Sequence, residues 1–432
     1  MSNPEGVVNV FEELAKKDHE QVVFLRDKVT GLRAIVAIHD TTLGPALGGT
    51  RMWAYPDEAA ALRDVLRLSR GMTYKSAAAG LNLGGGKAVI IGDAKTMKNE
   101  MLFRAYGRFV QGLGGRYITA EDVGTTVRDM EWVRMETENV VGISRALGGS
   151  GDPSPVTALG TYEGIKASLK FATGNESLAN RTVAVQGVGA VGQHLVRHLV
   201  EGGAKVVVAD IDLENVKRAV AIGAGVSAVP ADTIYDVACD VFAPCALGAV
   251  INDDTIPRLK CHVVAGSANN VLADEERHAA ELVRRSIVYA PDYVVNAGGL
   301  INVANELDGY NYERALAQAS GIYDITMQVF RIAKDEGITT LRAANTLAER
   351  RIDALGRIKN TYLGNAPRRA QRSLGAWRFS PARALFRRSA HCEAPVCLSF
   401  ACLGIGPLSA KTTQAPRCGN ALGVGPACAG SP

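Results

Sequence analysis

Residues 181–210 read RTVAVQGVGAVGQHLVRHLVEGGAKVVVAD. A β-branched run, Thr182 to Val185, leads into Gly187-Val188-Gly189-Ala190-Val191-Gly192; a helix-spaced segment follows, and then a second β-branched run that ends at Asp210. A bare GxGxxG is a weak signal, but a strand before it and a helix after it make it informative. Each glycine has a physical task. Gly187 permits the tight turn, Gly189 lets the backbone approach a pyrophosphate, and Gly192 allows close packing of helix on strand, while the helix N-terminus attracts phosphate charge. Asp210 stands 18 residues beyond Gly192, where an acid accepts hydrogen bonds from a ribose 2′-hydroxyl and repels a 2′-phosphate. Ile211 and Asp212 supply no cation. The expected cofactor is therefore NAD rather than NADP, held by Gly187, Val188, Gly189, Ala190, Val191, Gly192 and Asp210.

Downstream of this unit the pattern repeats, with the strand-like runs CDVFAPCA, CHVVAGSAN and SIVYAPDYVV separated by helical segments. That alternation predicts a doubly wound parallel sheet over residues 146–334. Upstream, EQVVFLRDK and GLRAIVAIHD read as two strands joined at Val29-Thr30-Gly31 and begin a first sheet. Glycine-rich LGPALGGTRMW follows, then a helix opening at Pro56-Asp57-Glu58 whose apolar positions Ala61, Leu62, Val65, Leu66, Leu68 and Met72 recur at helical spacing. Its end is expected near Tyr74-Lys75. LNLGGGKAVIIGD reads as loop then strand, residues 99–112 as a helix, and RYITAEDVGT as a short strand. The Gly/Pro/Ser-rich RALGGSGDPSPVTA reads as an interdomain hinge, with a helix from Ala158 to Ala172 beyond it. The fold class is thus α/β in two domains: residues 1–145, completed by helices at about 335–363, and the Rossmann-type domain 146–334.

The 432 residues are 47% hydrophobic and 21% charged, as expected for a globular protein of about two domains. The net charge of +4 conceals two unlike parts. From Asn365 onward there are nine Lys or Arg and one acid, Glu393, so this tail carries +8 and residues 1–364 carry −4. An acidic body has no general attraction for nucleic acid or anionic membrane. Five of the eight cysteines also fall in the tail, leaving Cys239, Cys245 and Cys261 in apolar runs that suggest reduced thiols in a cytoplasmic protein. The N-terminal stretch contains acids and no long apolar core, unlike a signal or transit peptide, and no apolar run is long enough to span a membrane. Cysteines 392, 397 and 402 are five apart, unlike zinc pairs, so no metal site is expected. The arginine and proline bias of 365–432 marks a disordered extension or the product of a shifted reading frame, rather than a nucleic-acid arm.

Two lysines stand in unusual settings, Lys75 at the end of GMTYK and Lys87 in GLNLGGGK. A solvated surface lysine is the ordinary reading of each. Three consecutive glycines before Lys87 argue against it, because glycine costs folding entropy and suggests a backbone that leaves room for a ligand. Asp122 ends the strand-like YITAED, where acids of α/β proteins often face a cleft. Two lysines and an acid converging on a nicotinamide suit amino-acid chemistry.

These segments, with PSPVTALG, VVAGSANN and YAPDYVVNAGGLINVANE, resemble the Glu/Leu/Phe/Val dehydrogenase family over residues 10–363. The resemblance implies reversible oxidative deamination of an L-amino acid to its 2-oxo acid and ammonia, by a homo-oligomer. It makes Lys75 the cation for the substrate carboxylate and Lys87 the base that activates water. A lysine that works as a base near neutral pH is one whose pKa has been lowered to roughly 7 to 8 by crowding and burial. Asp122 exchanges protons with the amine, and Asn269, Asn270 and Asn296 surround the nicotinamide. Leu47, Gly48, Met72, Ala120, Val294 and Val295 match the substrate pocket. Glutamate-specific relatives carry a lysine where this chain has Leu47, and a second substrate carboxylate buried against leucine would go unpaired at several kcal/mol. A branched aliphatic side chain is expected, leucine first with valine and isoleucine also accepted. Phenylalanine or valine dehydrogenase activity, or a non-catalytic nucleotide-binding regulatory role, are the competing readings.

Overall fold

In a computed structural model, residues 9–358 of the chain are described. The expectations for 359–432, including the tail and its five cysteines, lie outside them. Two sheets organise the described part into a two-domain α/β fold.

The first sheet is built from β1 (Gln21–Arg26), β2 (Arg33–Asp40), β3 (Ala46–Trp53), β4 (Gly84–Ile91) and β5 (Tyr117–Glu121), in the order β1-β2-β4-β3-β5. β1 and β2 form the hairpin read from the sequence. Asp27 closes its turn by accepting from the Thr30 backbone N–H and hydroxyl, each at 2.7 Å. β2 runs antiparallel to β4, whereas β3 is parallel to both β4 and β5.

Two glycine-rich stretches supply strands, the second of them at glycines read as loop. LGPALGGTRMW contains β3, and the three glycines of GLNLGGGK begin β4. The space at these glycines is filled by the protein itself rather than kept for a ligand. A Cβ on Gly48 would lie 1.8 Å from the Gly86 carbonyl oxygen, one on Gly85 2.1 Å from the Thr73 nitrogen, and one on Gly86 2.7 Å from the Tyr117 ring. Sequence spacing cannot show this, because the neighbours come from three other elements.

The helix Glu58–Ala78 is capped by Asp57, whose side chain accepts from the Ala60 N–H at 2.6 Å. Ala61, Leu62, Val65 and Leu66 are buried against Ile35, Ala37 and Val89 of the sheet. It runs one turn beyond the expected end. Ala77 joins a cluster with Leu43 and Ala348, and Ala78 one with Val329 and Ala343, so packing from the C-terminal helix Thr340–Ile358 extends it.

The second sheet comprises β6 (Thr182–Gln186), β7 (Lys205–Ala209), β8 (Val226–Ala228), β9 (Val241–Pro244), β10 (Val263–Val264) and β11 (Val288–Tyr289). All its pairings are parallel and the order is β11-β10-β9-β6-β7-β8. The order reverses between β6 and β9, where open α/β sheets bind ligands outside the carboxyl ends of the strands. Helix Ser154–Thr173 begins one turn earlier than read, with Pro153 at its N-cap and Pro155 in its first turn, positions that proline tolerates.

Glu306 fastens the connection between the two sheets. Its carboxylate accepts from the backbone N–H of Gly142 and from the backbone N–H and hydroxyl of Ser150, at 2.5 to 3.1 Å. Burial raises its pKa, and these donors oppose the rise. Cys239, Cys245 and Cys261 are free thiols. Among the described residues, no helix is long and apolar enough to cross a membrane, and no group of three His, Cys, Asp or Glu could hold a metal ion.

Candidate active site

Three elements of the first sheet and its helix converge on one cavity of about 780 Å³. Lys75 enters from the last turn of helix Glu58–Ala78, Lys87 from the middle of β4, and Asp122 from the residue after β5. The Lys87 ammonium lies 3.1 Å from Asp122 Oδ2, and Arg51 Nε of β3 donates to the same oxygen at 3.0 Å. Burial alone would raise the Asp122 pKa, but the charges of Lys87 and Arg51 outweigh it and hold the carboxyl below its usual range. Arg51 is itself braced by Asp64 at 2.9 Å.

Lys75 has a different environment. Its ammonium donates to Asn296 Oδ1 at 2.6 Å, a neutral acceptor. Burial lowers its pKa to about 8; the buried carboxylate of Asp292 opposes that shift and the charge of Lys87 adds to it. Asn296 Nδ2 in turn donates to Asn269 Oδ1 at 2.7 Å. One chain of contacts therefore joins Lys75 to the loop after β10. Asn269, Asn270 and Asn296 all line the cavity, and Asn270 has φ +50°, the left-handed backbone that asparagine tolerates better than most residues.

The apolar wall corrects part of the sequence reading. Leu47, Met72 and Ala120 line the cavity as expected, but Val294 and Val295 do not. Val294 is buried with Ala78 and Val329, and Val295 packs into the core beneath helix Ser154–Thr173, where a Cβ on Gly164 would lie 2.4 Å from its Cγ1. Gly48 is also set back from the wall; its carbonyl accepts from the Tyr117 hydroxyl at 2.6 Å, and Gly49 lines the cavity instead. Leu300 and Val303 also line it and join Leu47 and Ala120 in one cluster. Their spacing of three in GGLINVANE placed them on one helical face, a signal the sequence reading passed over. Arg51, Thr157 and Asp292 were also missed as lining residues.

The glycine turn meets the cavity through Val191. Gly187 has φ +91° and a Cβ there would fall 2.6 Å from Ala246, so only glycine fits. A Cβ on Gly192 would meet the Gly187 oxygen at 2.2 Å, whereas one on Gly189 would meet nothing within 4 Å. Helix Ala190–Glu201 has no side-chain cap. Open space at Gly189 beside uncapped backbone N–H groups is a cradle that fits a pyrophosphate. Asp210 also ties the turn to β7: Oδ2 accepts from the Val188 N–H at 2.7 Å and Oδ1 from the Asp212 N–H at 2.9 Å. Val188 is buried in the core, while Val191 lines the cavity and Ala190 is exposed.

Two family descriptions match the chain: "Glu/Leu/Phe/Val dehydrogenase, dimerisation domain" over residues 19–139, and "Glutamate/Leucine/Phenylalanine/Valine dehydrogenase" over 148–213 and 210–356. The chain belongs to the Glu/Leu/Phe/Val dehydrogenase family. The dehydrogenase is 60% identical over 356 residues to the leucine dehydrogenase of Thermoactinomyces intermedius, covering 82% of this chain and 97% of the relative. It is 48% identical over 367 residues to the phenylalanine dehydrogenase of the same organism, covering 84% and 100%. Among solved structures, the L-tryptophan dehydrogenase of Nostoc punctiforme matches with a TM-score of 0.72 at 47% identity, covering 80% of this chain and 99% of that one. The protein is thus an amino-acid dehydrogenase, of a family that uses a nicotinamide dinucleotide.

Proposed function

We propose that the dehydrogenase catalyses reversible oxidative deamination of branched-chain L-amino acids, L-leucine first, with NAD. The observation that carries this reading is a cavity lined both by Lys75, Lys87 and Asp122 and by the apolar set Leu47, Ala120, Leu300 and Val303. In this reading the Lys75 ammonium holds the substrate carboxylate, taking it in place of the Asn296 amide. Lys87 removes a proton from the water that attacks the imine carbon, with Asp122 beside it. Both cationic contacts of Asp122 fall on Oδ2, which leaves Oδ1 to exchange a proton with the substrate nitrogen.

NAD, when bound, supplies the hydride acceptor. The glycine turn Gly187–Gly192 would hold its pyrophosphate, Asp210 its ribose, and Asn269, Asn270 and Asn296 the nicotinamide end. Asp210 favours NAD because a 2′-phosphate beside its carboxylate would be repelled. The substrate half is residues 1–145 with the C-terminal helix, and the cofactor half 146–334. That helix reaches back to the first half through Arg351, which donates to the carbonyl oxygens of Leu81 and Gly80. Self-association is proposed from the dimerisation description matched by residues 19–139, and action in the cytoplasm from the three free thiols.

A panel of L-leucine, L-valine, L-phenylalanine and L-glutamate, assayed with NAD and with NADP by absorbance of the reduced nicotinamide, tests this. The expected order of kcat/KM places leucine first and glutamate last, since one methylene is worth only about 1 to 3 kcal/mol whereas a buried unpaired carboxylate costs several. Phenylalanine ahead of leucine, or glutamate turnover matching it, overturns the substrate assignment. Lys87→Ala is expected to lose at least about a hundredfold in kcat while still binding NAD.

A further inference from the structure

The cavity extends well beyond the groups assigned above. Along helix Glu58–Ala78 it is lined by Arg63, Arg67, Arg70 and Tyr74, at i, i+4, i+7 and i+11 on one face, and by Lys75 about 100° further around the same helix. At 1.5 Å per residue, Arg63 lies about 18 Å along the axis from Lys75. Lys16 and Lys17, from the segment after helix Val10–Ala15, line the same cavity. We propose that these five cations form a track that draws an anionic 2-oxo acid toward Lys75 ahead of the zwitterionic amino acid. This rests on the reading that the dehydrogenase interconverts the two.

Several observations support a track rather than scattered surface charge. The cavity wall carries eight Lys or Arg against five Asp or Glu, whereas residues 1–364 as a whole carry −4. Lys16 pairs with Glu13 at 2.7 Å and Arg67 with Asp64 at 3.0 Å, but among the described residues no carboxylate pairs with Lys17, Arg63 or Arg70. The Arg70 side chain and the backbone of the lysine segment are held in place. Arg70 lies 4.3 Å over the Tyr74 ring, whose hydroxyl donates to Glu349 at 3.0 Å. The lysine segment is pinned by two histidines: His19 Nε2 bonds the Leu66 carbonyl at 2.9 Å, and His39 Nε2 bonds the Lys17 carbonyl at 3.0 Å. Burial lowers both histidines, His39 to about 4, so they anchor the segment at neutral pH without charge. A cleft with an excess of one sign of charge between low-dielectric walls concentrates counter-ions. A 2-oxo acid carries net −1, an L-amino acid net zero and ammonium +1, so the track discriminates among the reactants by net charge alone.

The test compares kcat/KM for 4-methyl-2-oxopentanoate and for L-leucine at saturating cofactor while ionic strength rises from about 20 to about 300 mM, which shortens the Debye length from about 20 to about 6 Å. The 2-oxo acid value is expected to fall about fivefold or more while the leucine value changes by less than about twofold. The double variant Lys17→Glu/Arg63→Glu is expected to lower the 2-oxo acid value about tenfold at low salt and to abolish its salt slope. The neutral pair Lys17→Gln/Arg63→Gln should fall between, with kcat for leucine unchanged in both. Equal salt responses for the two substrates, or charge-reversal variants that keep the wild-type slope, overturn the track. If no amino acid is turned over, the substrate reading fails alone, because titration calorimetry of the 2-oxo acid against the full chain at the same salts still decides whether the anion is drawn in.

Discussion

Lys75 and Lys87 occupy one cavity, yet their partners differ. Lys87 sits against the Asp122 carboxylate, whereas Lys75 faces the amide oxygen of Asn296, which in the proposed reaction leaves its charge for an incoming carboxylate. Burial brings the Lys75 pKa down to about 8, so the cationic form that binds a carboxylate is present below that pH and is lost as pH rises through it. Binding of the non-reacting 4-methylpentanoate is therefore expected to be constant between about pH 6 and 7.5 and to weaken about tenfold per unit above about 8.5, with Lys75→Met removing this dependence. Affinity that stays level to pH 10 would take the carboxylate away from Lys75. At this scale the sequence singled out Lys75, Lys87, Asp122 and Asp210, because they lie in long, distinctive motifs, and the fold brings the first three to one cavity. It misplaced Val294 and Val295, because an apolar residue carries no sign of whether it faces a cavity or the core.

The helix Gly298–Ala304 shows how an element makes that choice. It presents Leu300 and Val303 to the cavity, while the short helix Asp292–Val295 turns its valines inward. Leu300→Ala is expected to lower kcat/KM for leucine by about tenfold and to improve the ratio of phenylalanine to leucine, because the deeper wall removes contact from a small side chain and admits a ring. Val294→Ala should instead lower Tm, at about 1 to 3 kcal/mol for the cavity left in the core, with the substrate order unchanged. A shift in substrate order from Val294→Ala and none from Leu300→Ala would restore the sequence reading. Glycine-rich strands were illegible for a related reason. Gly48, Gly85 and Gly86 look like loop residues by composition, and only their neighbours across β3, β4, β5 and the helix show that each is too crowded to hold a side chain.

For the whole molecule, the parts that match known dehydrogenases end near residue 356, and 356 aligned residues already span 97% of the Thermoactinomyces leucine dehydrogenase. Truncation after Gly364 is therefore expected to leave kcat and KM for leucine within about twofold and to move the net charge from +4 to −4, read as an acidic shift on isoelectric focusing. Loss of turnover on truncation would give residues 365–432 a part in catalysis. Glu306 illustrates what only the folded chain reveals, since its carboxylate gathers donors from Gly142 and Ser150, more than 150 residues earlier, and so fixes the join between the halves. The sequence by itself determined the α/β class, the glycine turn between a strand and a helix, and the family, because these depend on local periodicity, turn chemistry and motif spacing. The tertiary structure alone decided which apolar residues line the cavity, which glycines are packed rather than open, and that five further cations line the same cavity as Lys75. Each of these depends on which distant segments share a surface, a relation that spacing along the chain does not encode.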